Sequence, residues 1–283
     1  MAKDELISPI LKWVGGKRQL LSEIIPLIPE KYSTYVEPFV GGGAVFFELQ
    51  PKKAIINDMN SELINVYRVI RDKSDELIET LETHAANHNE DYFYKIRALD
   101  REEGYDELDD VTKAARIIYL NKTCYNGLYR VNASGQFNTP FGRYKNPKIV
   151  DSITIKAMSK YLKRKSIRIC EGDYKQVLKT LRKPAFVYLD PPYQPLSASS
   201  SFTSYTGEGF SFEDQKELKL ECDKLRKKGI SFVQSNSDCP EIRELYSDYK
   251  IITVKAKRNI NSKGSSRGEI NEVLIYYDRE EEK

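Results

Sequence analysis

The sequence predicts an α/β fold: a seven-stranded, mostly parallel sheet with helices on both faces, plus one inserted subdomain. Three observations predict it. Seven short runs rich in β-branched and aromatic residues recur along the 283 residues, several followed by a polar turn and then helical periodicity. One of them, AFVYL, is apolar throughout and fits a central strand. The conspicuous polar motifs fall at the ends of these runs, where parallel sheets gather their ligands.

In chain order, TYVEPF leads into VGGGAVFFEL, KAIINDMN into SELINVYRVIRD, and SIRICEGDY into a short polar helix. AFVYLDPPY, ISFVQSN, YKIITVKA and NEVLIYYD complete the set. From about Leu63 to Ser152 the pattern breaks: helical material and the acidic run DREEGYDELDD precede NKTCYNGLYRVNASGQFNTPFGRYKNPK, which has no clean period. A structureless stretch of that length inside a compact sheet is unusual. Residues 63–152 are therefore expected to form an inserted, substrate-facing subdomain, with 1–62 and 153–283 forming the sheet domain.

Net charge is small, 45 basic against 42 acidic residues, so the total says little about a polyanionic partner. The distribution says more: seven of the eleven residues from Asp100 to Asp110 are acidic, whereas Lys113 to Val150 carries seven Lys or Arg and no Asp or Glu. A second basic tract, VKAKRNINSKGSSRGE, follows near the C-terminus. Segregation of this kind builds one positive face on a nearly neutral protein. Uneven but ordinary solvated loops are the alternative. Cys124, Cys170, Cys222 and Cys239 have neither close pairing nor metal-ligand spacing. No signal-peptide pattern and no run of about 18 apolar residues is present, so the chain reads as soluble and cytoplasmic. His84 and His88, the two histidines, are expected to be a surface pair on a helix, with no third ligand for a metal.

Gly41, Gly42 and Gly43 stand between a predicted strand and a predicted helix, where glycine lets backbone approach a ligand. The spacing is not the GxGxxG of dinucleotide sites, and a plain tight turn also accounts for it. Asp58 ends the second predicted strand, suited to the two hydroxyls of a ribose or, alternatively, to capping the next helix. Asp173 ends the third and suits an adenine amino group. In ILKWVGGKRQLL, Lys17 suits an amino acid carboxylate, and Trp13 either borders the same pocket or merely packs. A ligand with an adenosine half and an amino acid half is S-adenosylmethionine.

Asp190 follows the central strand, and Pro191 and Pro192 hold the chain extended because neither has an N–H and each fixes φ. An exocyclic amine on a nucleobase is a poor nucleophile because its lone pair is delocalised into the ring. Two acceptors, the Asp190 carboxylate and the Pro191 carbonyl, suit the two amine hydrogens, and Tyr193 suits stacking on the base. Positive charge developing on nitrogen is then stabilised electrostatically. A structural turn or a Mg²⁺ ligand is the alternative reading of the same tetrapeptide.

Taken together, KWVGGKRQLL, EPFVGGGAVFFEL, INDMN, CYNGLYR, GQFNTPFGRYKNP, GDY and DPPY resemble the Dam-type adenine-specific DNA methyltransferases, in the class whose catalytic motif lies late in the chain. The resemblance runs from about residue 9 to residue 277. It implies a methyltransferase Rossmann-like fold with a target-recognition insert, methyl transfer from S-adenosylmethionine to N6 of an adenine flipped from duplex DNA, and S-adenosylhomocysteine as product. Asp190, Pro191 and Tyr193 would hold the adenine. Trp13, Lys17, Phe39, Gly41, Gly43, Asp58 and Asp173 would line the cofactor site.

The resemblance further implies that Arg130 reads the guanine of GATC, with Tyr125, Asn126, Leu128 and Pro140 near the bases. Lys122, Arg143, Lys145 and Lys148 would meet phosphates. It leaves the biological setting open between a modification enzyme paired with a restriction endonuclease and a solitary housekeeping or phage enzyme. RNA adenine, cytosine amine and protein glutamine are competing substrates; serine and asparagine usually replace Asp190 in enzymes acting on the last two. A DNA-binding module without turnover needs none of Asp190, Tyr193, Gly41 and Asp58. No heptad or isolated apolar face points to an oligomeric state.

Overall fold

The computed structural model describes residues 3–195, 210–257 and 269–280. All seven expected strands form: β1 Thr34–Glu37, β2 Ala54–Asp58, β3 Ile167–Glu171, β4 Ala185–Leu189, β5 Ser231–Ser237, β6 Lys250–Lys257 and β7 Glu269–Tyr277. They make one sheet in the order β3-β2-β1-β4-β5-β7-β6. The pairings from β3 through β5 are parallel, and β7 runs antiparallel to both β5 and β6. Val36 of β1 registers with Ile55 on one side and Val187 on the other. Every residue of β4 is buried, as the run AFVYL requires of a strand covered on both faces.

Alternation along the strands sorts side chains into two cores. Tyr35, Ile56, Phe186, Tyr188, Val233 and Leu274 face one of them, and Val36, Ile55, Val187, Leu189, Phe232 and Ile275 the other. The first core is closed by the N-terminal segment with α1 Leu21–Ile24, by α2 Ala44–Leu49 and α3 Ser61–Asp72, and beyond them by α4 Ser74–Ala86, α5 Glu90–Ala98, α6 Asp110–Thr123 and α7 Ser152–Leu162. The second is closed by α8 Tyr174–Lys179, α9 Phe212–Lys227 and α10 Pro240–Leu245.

Helix starts follow the local chemistry. The Asn60 side chain accepts from Leu63 N at 2.9 Å at the start of α3, Asn89 caps α5, Asp109 caps α6, and Ser211 with Asp214 forms a capping box on α9. The boundary expected at residue 63 falls inside α3, which packs against the sheet; α4 to α6 stack outward from it. Arg116 of α6 is buried, donates to the carbonyls of Ile96 and Arg97 at 2.9 Å each, and pairs with Asp100 at 2.7 Å. Thus two members of the acidic run serve structure: Asp100 holds Arg116, and the exposed Asp109 caps α6.

The two histidines do not form the expected surface pair. His84 is buried, on the same stripe of α4 as Leu77 and Leu81, and its Nδ1 meets the Tyr92 hydroxyl at 2.8 Å. His88 lies past the end of α4 and meets the Tyr119 hydroxyl at 2.9 Å. The two histidines join an aromatic cluster with Tyr92, Phe93, Tyr119 and Phe141, not a solvated surface. Among the described residues no helix is long and apolar enough to cross a membrane. The long polar and aromatic stretch SSSFTSYTGEGFSF predicts a mobile loop that closes over DNA; most of it, like most of the basic tract after Lys255, lies outside the described residues.

Candidate active site

The chain leaves β1 toward β2 and β3 and leaves β4 toward β5, so a crevice opens between the carboxyl ends of β1 and β4. Strand parity then decides which side chains reach it. Glu37 follows Tyr35, Asp58 follows Ile56 and Asp190 follows Tyr188, all on the face of the first core. Glu272 joins them because β7 is antiparallel: its beginning lies beside the end of β5, with Glu272 opposite Ser237.

The glycine loop closes tightly on itself. Gly43 N donates to Val40 O at 2.7 Å, Val40 N to Asn57 O at 2.9 Å, and the Tyr67 hydroxyl to Gly41 O at 2.7 Å. Gly41 has φ +48° and a Cβ there would lie 2.9 Å from Trp13 Cδ1; Gly43 has φ +70° and a Cβ would lie 2.8 Å from Phe47 Cε2. Both positions therefore demand glycine on conformational and steric grounds.

Asp58 accepts from Gly41 N at 2.9 Å and from Asn60 N at 3.0 Å. It is not the helix cap, since Asn60 holds that position. Burial raises its carboxyl above the ordinary range, against those amide bonds, which lower it. Each carboxylate oxygen still has a lone pair to offer. Asp173, by contrast, caps α8 by accepting from Lys175 N at 2.8 Å.

The residues fit a nucleoside-bearing cofactor. Gly172, at φ +115°, bonds Asp58 O through its N–H at 3.0 Å, and a Cβ there would meet nothing within 4 Å. Open space thus adjoins the backbone between β2's terminal acid and Asp173. Phe39 stands on Tyr174, ring centroids 4.9 Å apart, and edge-on to Phe210 at 6.3 Å. That arrangement supplies an apolar wall beside two acids.

At the end of β4, the Asp190 carboxylate is 2.8 Å from Lys17 Nζ, with the two side chains 20% and 5% exposed. Lys17 also donates to Gly15 O and sits over the Tyr193 ring, 4.7 Å from its centroid. Burial pushes the Asp190 carboxyl up to about 6, Lys17 draws it back down, and Glu272 and Asp58 add to the rise. Glu37, bonded by the Tyr35 hydroxyl at 2.6 Å, is pushed up to about 8, chiefly by burial, with Asp190 contributing.

The second half of the tetrapeptide and the residue after it are clamped by side chains of α9, β5 and β7. Gln215 Nε2 of α9 donates to Pro192 O at 2.9 Å, and Asn236 Nδ2 donates to Gln215 Oε1 at 3.0 Å. The Tyr193 hydroxyl donates to Glu272 Oε2 at 2.8 Å. Gln194 N donates to Asn236 Oδ1 at 3.3 Å, and Gln194 O accepts from Ser237 Oγ at 2.7 Å. None of these partners was singled out in the sequence, although Gln215 interrupts the apolar stripe of Leu218, Cys222 and Leu225, and Asn236 and Ser237 are polar ends of a fully buried strand.

The remaining expected residues lie on the insert. Asn121 bonds both the N–H and the carbonyl of Lys12, at 2.9 and 2.8 Å, and the carbonyl of Gly127 at 3.0 Å, which ties the loop after α6 to the N-terminal segment. Asn126 at φ +57° and Gly127 at φ +64° turn the chain there. Tyr125, Asn126, Arg130, Pro140, Arg143 and Lys145 are exposed. Arg130 is braced by its Nε donating to Asn138 Oδ1 at 2.7 Å. Leu128 is half-buried, its carbonyl accepting from Thr139 Oγ1 at 2.6 Å.

Lys122 is half-buried on α6 with its pKa lowered, mainly by burial and partly by Lys148, Lys12 and Arg18. Lys148 is tied to Asp151 at 2.7 Å. Trp13 joins the two groups of residues: it covers Gly41 and stacks on Tyr129, next to Arg130, at 4.7 Å and 23°.

Residues 13–260 match the family model described as D12 class N6 adenine-specific DNA methyltransferase. A type II methyltransferase of Lactococcus lactis subsp. cremoris, M1.LlaDCHI, is 50% identical over 269 residues, covering 95% of each chain. The type II methyltransferase M.MjaIII of Methanocaldococcus jannaschii is 43% identical over 95% of this chain and 98% of its own. The DNA adenine methylase of Escherichia coli is 36% identical over 94% of each. With a match of that extent, and with a crevice that fits the cofactor, the chain belongs to the D12 class of N6 adenine-specific DNA methyltransferases and draws its methyl group from S-adenosylmethionine.

Proposed function

We propose that this enzyme methylates N6 of an adenine flipped out of duplex DNA within GATC, as the modification partner of a restriction endonuclease that cuts the same site. S-adenosylmethionine supplies an electrophilic methyl group when bound. Gly41 and Gly43 would let the backbone come close to it, Asp58 would accept from its ribose hydroxyls, and Phe39 and Asp173 would border its adenine. Lys17 would serve its carboxylate and Trp13 would wall the pocket.

The Asp190 carboxylate and the Pro191 carbonyl then hold the two hydrogens of the target amine, and Tyr193 stacks on the base. Asp190 is suited to take the proton that the methylated nitrogen sheds, because its pKa of about 6 lies close to neutrality.

Target reading is assigned to residues 63–152. The observation that carries it is Arg130, exposed and braced by Asn138 while its neighbour Tyr129 is stacked on Trp13. A guanidinium fork held in one orientation suits the O6 and N7 of guanine. Tyr125, Asn126, Leu128 and Pro140 would lie near the bases, and Lys122, Arg143 and Lys145 near phosphates. Likeness to two type II methyltransferases supports the pairing with an endonuclease, one that needs no stable complex, in the cytoplasm of a prokaryotic or phage-infected cell.

The test is transfer of a labelled methyl group to a short duplex with one GATC, beside duplexes with single-base changes and single-stranded controls, the labelled nucleoside being identified by mass. Label in N6-methyladenine of the GATC duplex alone supports the assignment. Equal label in a changed duplex removes the target, and label on single strands removes the requirement for flipping from a duplex.

A further inference from the structure

We propose that Glu272 is a positioning residue for methyl transfer: by accepting the hydroxyl of Tyr193 it sets the plane on which the target adenine stacks. The inference rests on the reading of Tyr193 as the stacking platform and extends it to a residue far away in the chain.

Tyr193 follows β4 outside any helix or strand, so nothing in its own secondary structure fixes its ring. Its backbone is held on either side, at Pro192 O by Gln215 and at Gln194 by Asn236 and Ser237. Those bonds leave χ1 and χ2 of the tyrosine free. The 2.8 Å bond to Glu272 Oε2 fixes the far end of the ring.

Glu272 can do this because it is in a strand, not a loop. β7 is hydrogen-bonded on both edges, with Glu272 opposite Ser237 of β5 and Val254 of β6. A contact to a rigid element constrains better than one to another loop residue.

The chemistry of the acceptor adds a second effect. A phenol that donates to a carboxylate carries more electron density in its ring, and the face of an electron-rich ring attracts positive charge. Lys17 Nζ, 4.7 Å from the centroid, shows that this face accepts a cation. Charge developing on the amine of an adenine stacked on this ring during transfer would be stabilised in the same way. The bland reading is an acid that merely solvates a buried tyrosine; stability alone would then register its loss.

The test uses Glu272→Ala, Glu272→Gln, Tyr193→Phe and the double variant Glu272→Ala with Tyr193→Phe, in the full-length enzyme at saturating cofactor on a duplex. Circular dichroism melts check folding. Target adenine replaced by 2-aminopurine reports stacking of the flipped base through its fluorescence.

Glu272→Ala is expected to lower kcat about tenfold, the ordinary net worth of one hydrogen bond expressed as a rate, with cofactor affinity unchanged and brighter, less stacked 2-aminopurine. Glu272→Gln, which keeps an acceptor, should recover most of the rate. Tyr193→Phe should match Glu272→Ala, and the double variant should lose no more than either.

Additive losses would overturn the proposal, because Glu272 would then act on something other than the tyrosine hydroxyl. Equal effects of Ala and Gln, with the acid limb of the pH profile moved down, would overturn it in favour of a purely electrostatic action on Asp190. A change in melting with unaltered kcat and fluorescence would leave Glu272 structural, which also overturns it. Tyr193→Ala separates the two layers: if it keeps wild-type kcat, the platform reading itself fails, whereas an inactive Tyr193→Ala beside a silent Glu272→Ala defeats the Glu272 inference alone.

Discussion

Replacing Lys17 with methionine tests the electrostatics of the crevice most directly. Asp190 stands at about 6 against an ordinary 3.8, and Lys17 is the main influence holding it from rising further. An acid whose pKa is raised by folding binds its proton more tightly folded than unfolded. Its contribution to stability is therefore full below about pH 3.8 and is lost as pH rises through about 6, a loss of roughly 3 kcal/mol.

Methionine fills a similar volume but leaves the carboxylate unpaired among Glu37, Asp58 and Glu272, the acids on the same face. Breaking a buried pair costs about 3–5 kcal/mol, and the low end applies because the Asp190 side chain is 20% exposed and can take up a proton instead. The expected result is a variant about 3 kcal/mol less stable than the parent at pH 8 and nearly equal to it at pH 4.5, where the carboxyl is protonated in both. Urea melts of the cofactor-free protein across that range measure it. In single-turnover transfer at saturating cofactor, the acid limb should move to higher pH. A stability difference independent of pH, or superimposable acid limbs, would refute the reasoning and reduce Lys17 to packing.

Other changes separate the remaining roles. Asp58→Ala removes the acceptor of two backbone N–H groups and the proposed ribose contact, so titration calorimetry should find the cofactor Kd raised roughly 10- to 100-fold, more than saturated transfer slows. Arg130→Ala should reduce discrimination at the guanine by about 1–3 kcal/mol, read as the ratio of kcat/KM on matched and substituted duplexes. Gln215→Ala leaves Pro192 O and the Asn236 amide without their partner; it should destabilise by about 1–3 kcal/mol in urea and slow transfer while leaving the cofactor Kd near the parent value.

The strands and both motif loops were legible because their signals are local. AFVYL is apolar at every position, Gly41 and Gly43 stand where the chain must reverse tightly, and Asp58 and Asp190 end runs of alternating or continuous apolar residues. What the sequence did not yield is the support around them. Tyr193 and Glu272 are 79 residues apart in the chain, and Gln194 and Asn236 are 42 apart, so no local period connects them.

Some of those residues did carry a signal. Gln215 occupies a stripe position otherwise given to Leu218, Cys222 and Leu225, and His84 shares its stripe with Leu77 and Leu81. A polar residue at an apolar period is buried with a partner more often than it is misplaced. Reading the period before the residue type would have placed both inside. Glu272 carries a weaker form of the same mark, an acid within a strand directly ahead of Val273, Leu274 and Ile275, which are apolar on both faces.

The distribution of charge explains how one protein can serve a cation and a polyanion together. Burial holds Glu37 up near 8, Lys17 pairs with Asp190, and Asp58 and Glu272 add two further acids to the crevice. A sulfonium cofactor with net positive charge is favoured there, and the neutral product left after transfer is favoured less. On the proposed reading, DNA phosphates are drawn instead to exposed basic side chains of the stretch from Lys113 to Val150, such as Arg143 and Lys145, since Arg116 and Lys148 there are already paired with Asp100 and Asp151. On the proposed reading, a duplex settles with its backbone on the insert, and a base, which carries no charge, is the one part of it that can enter the crevice without paying an electrostatic penalty.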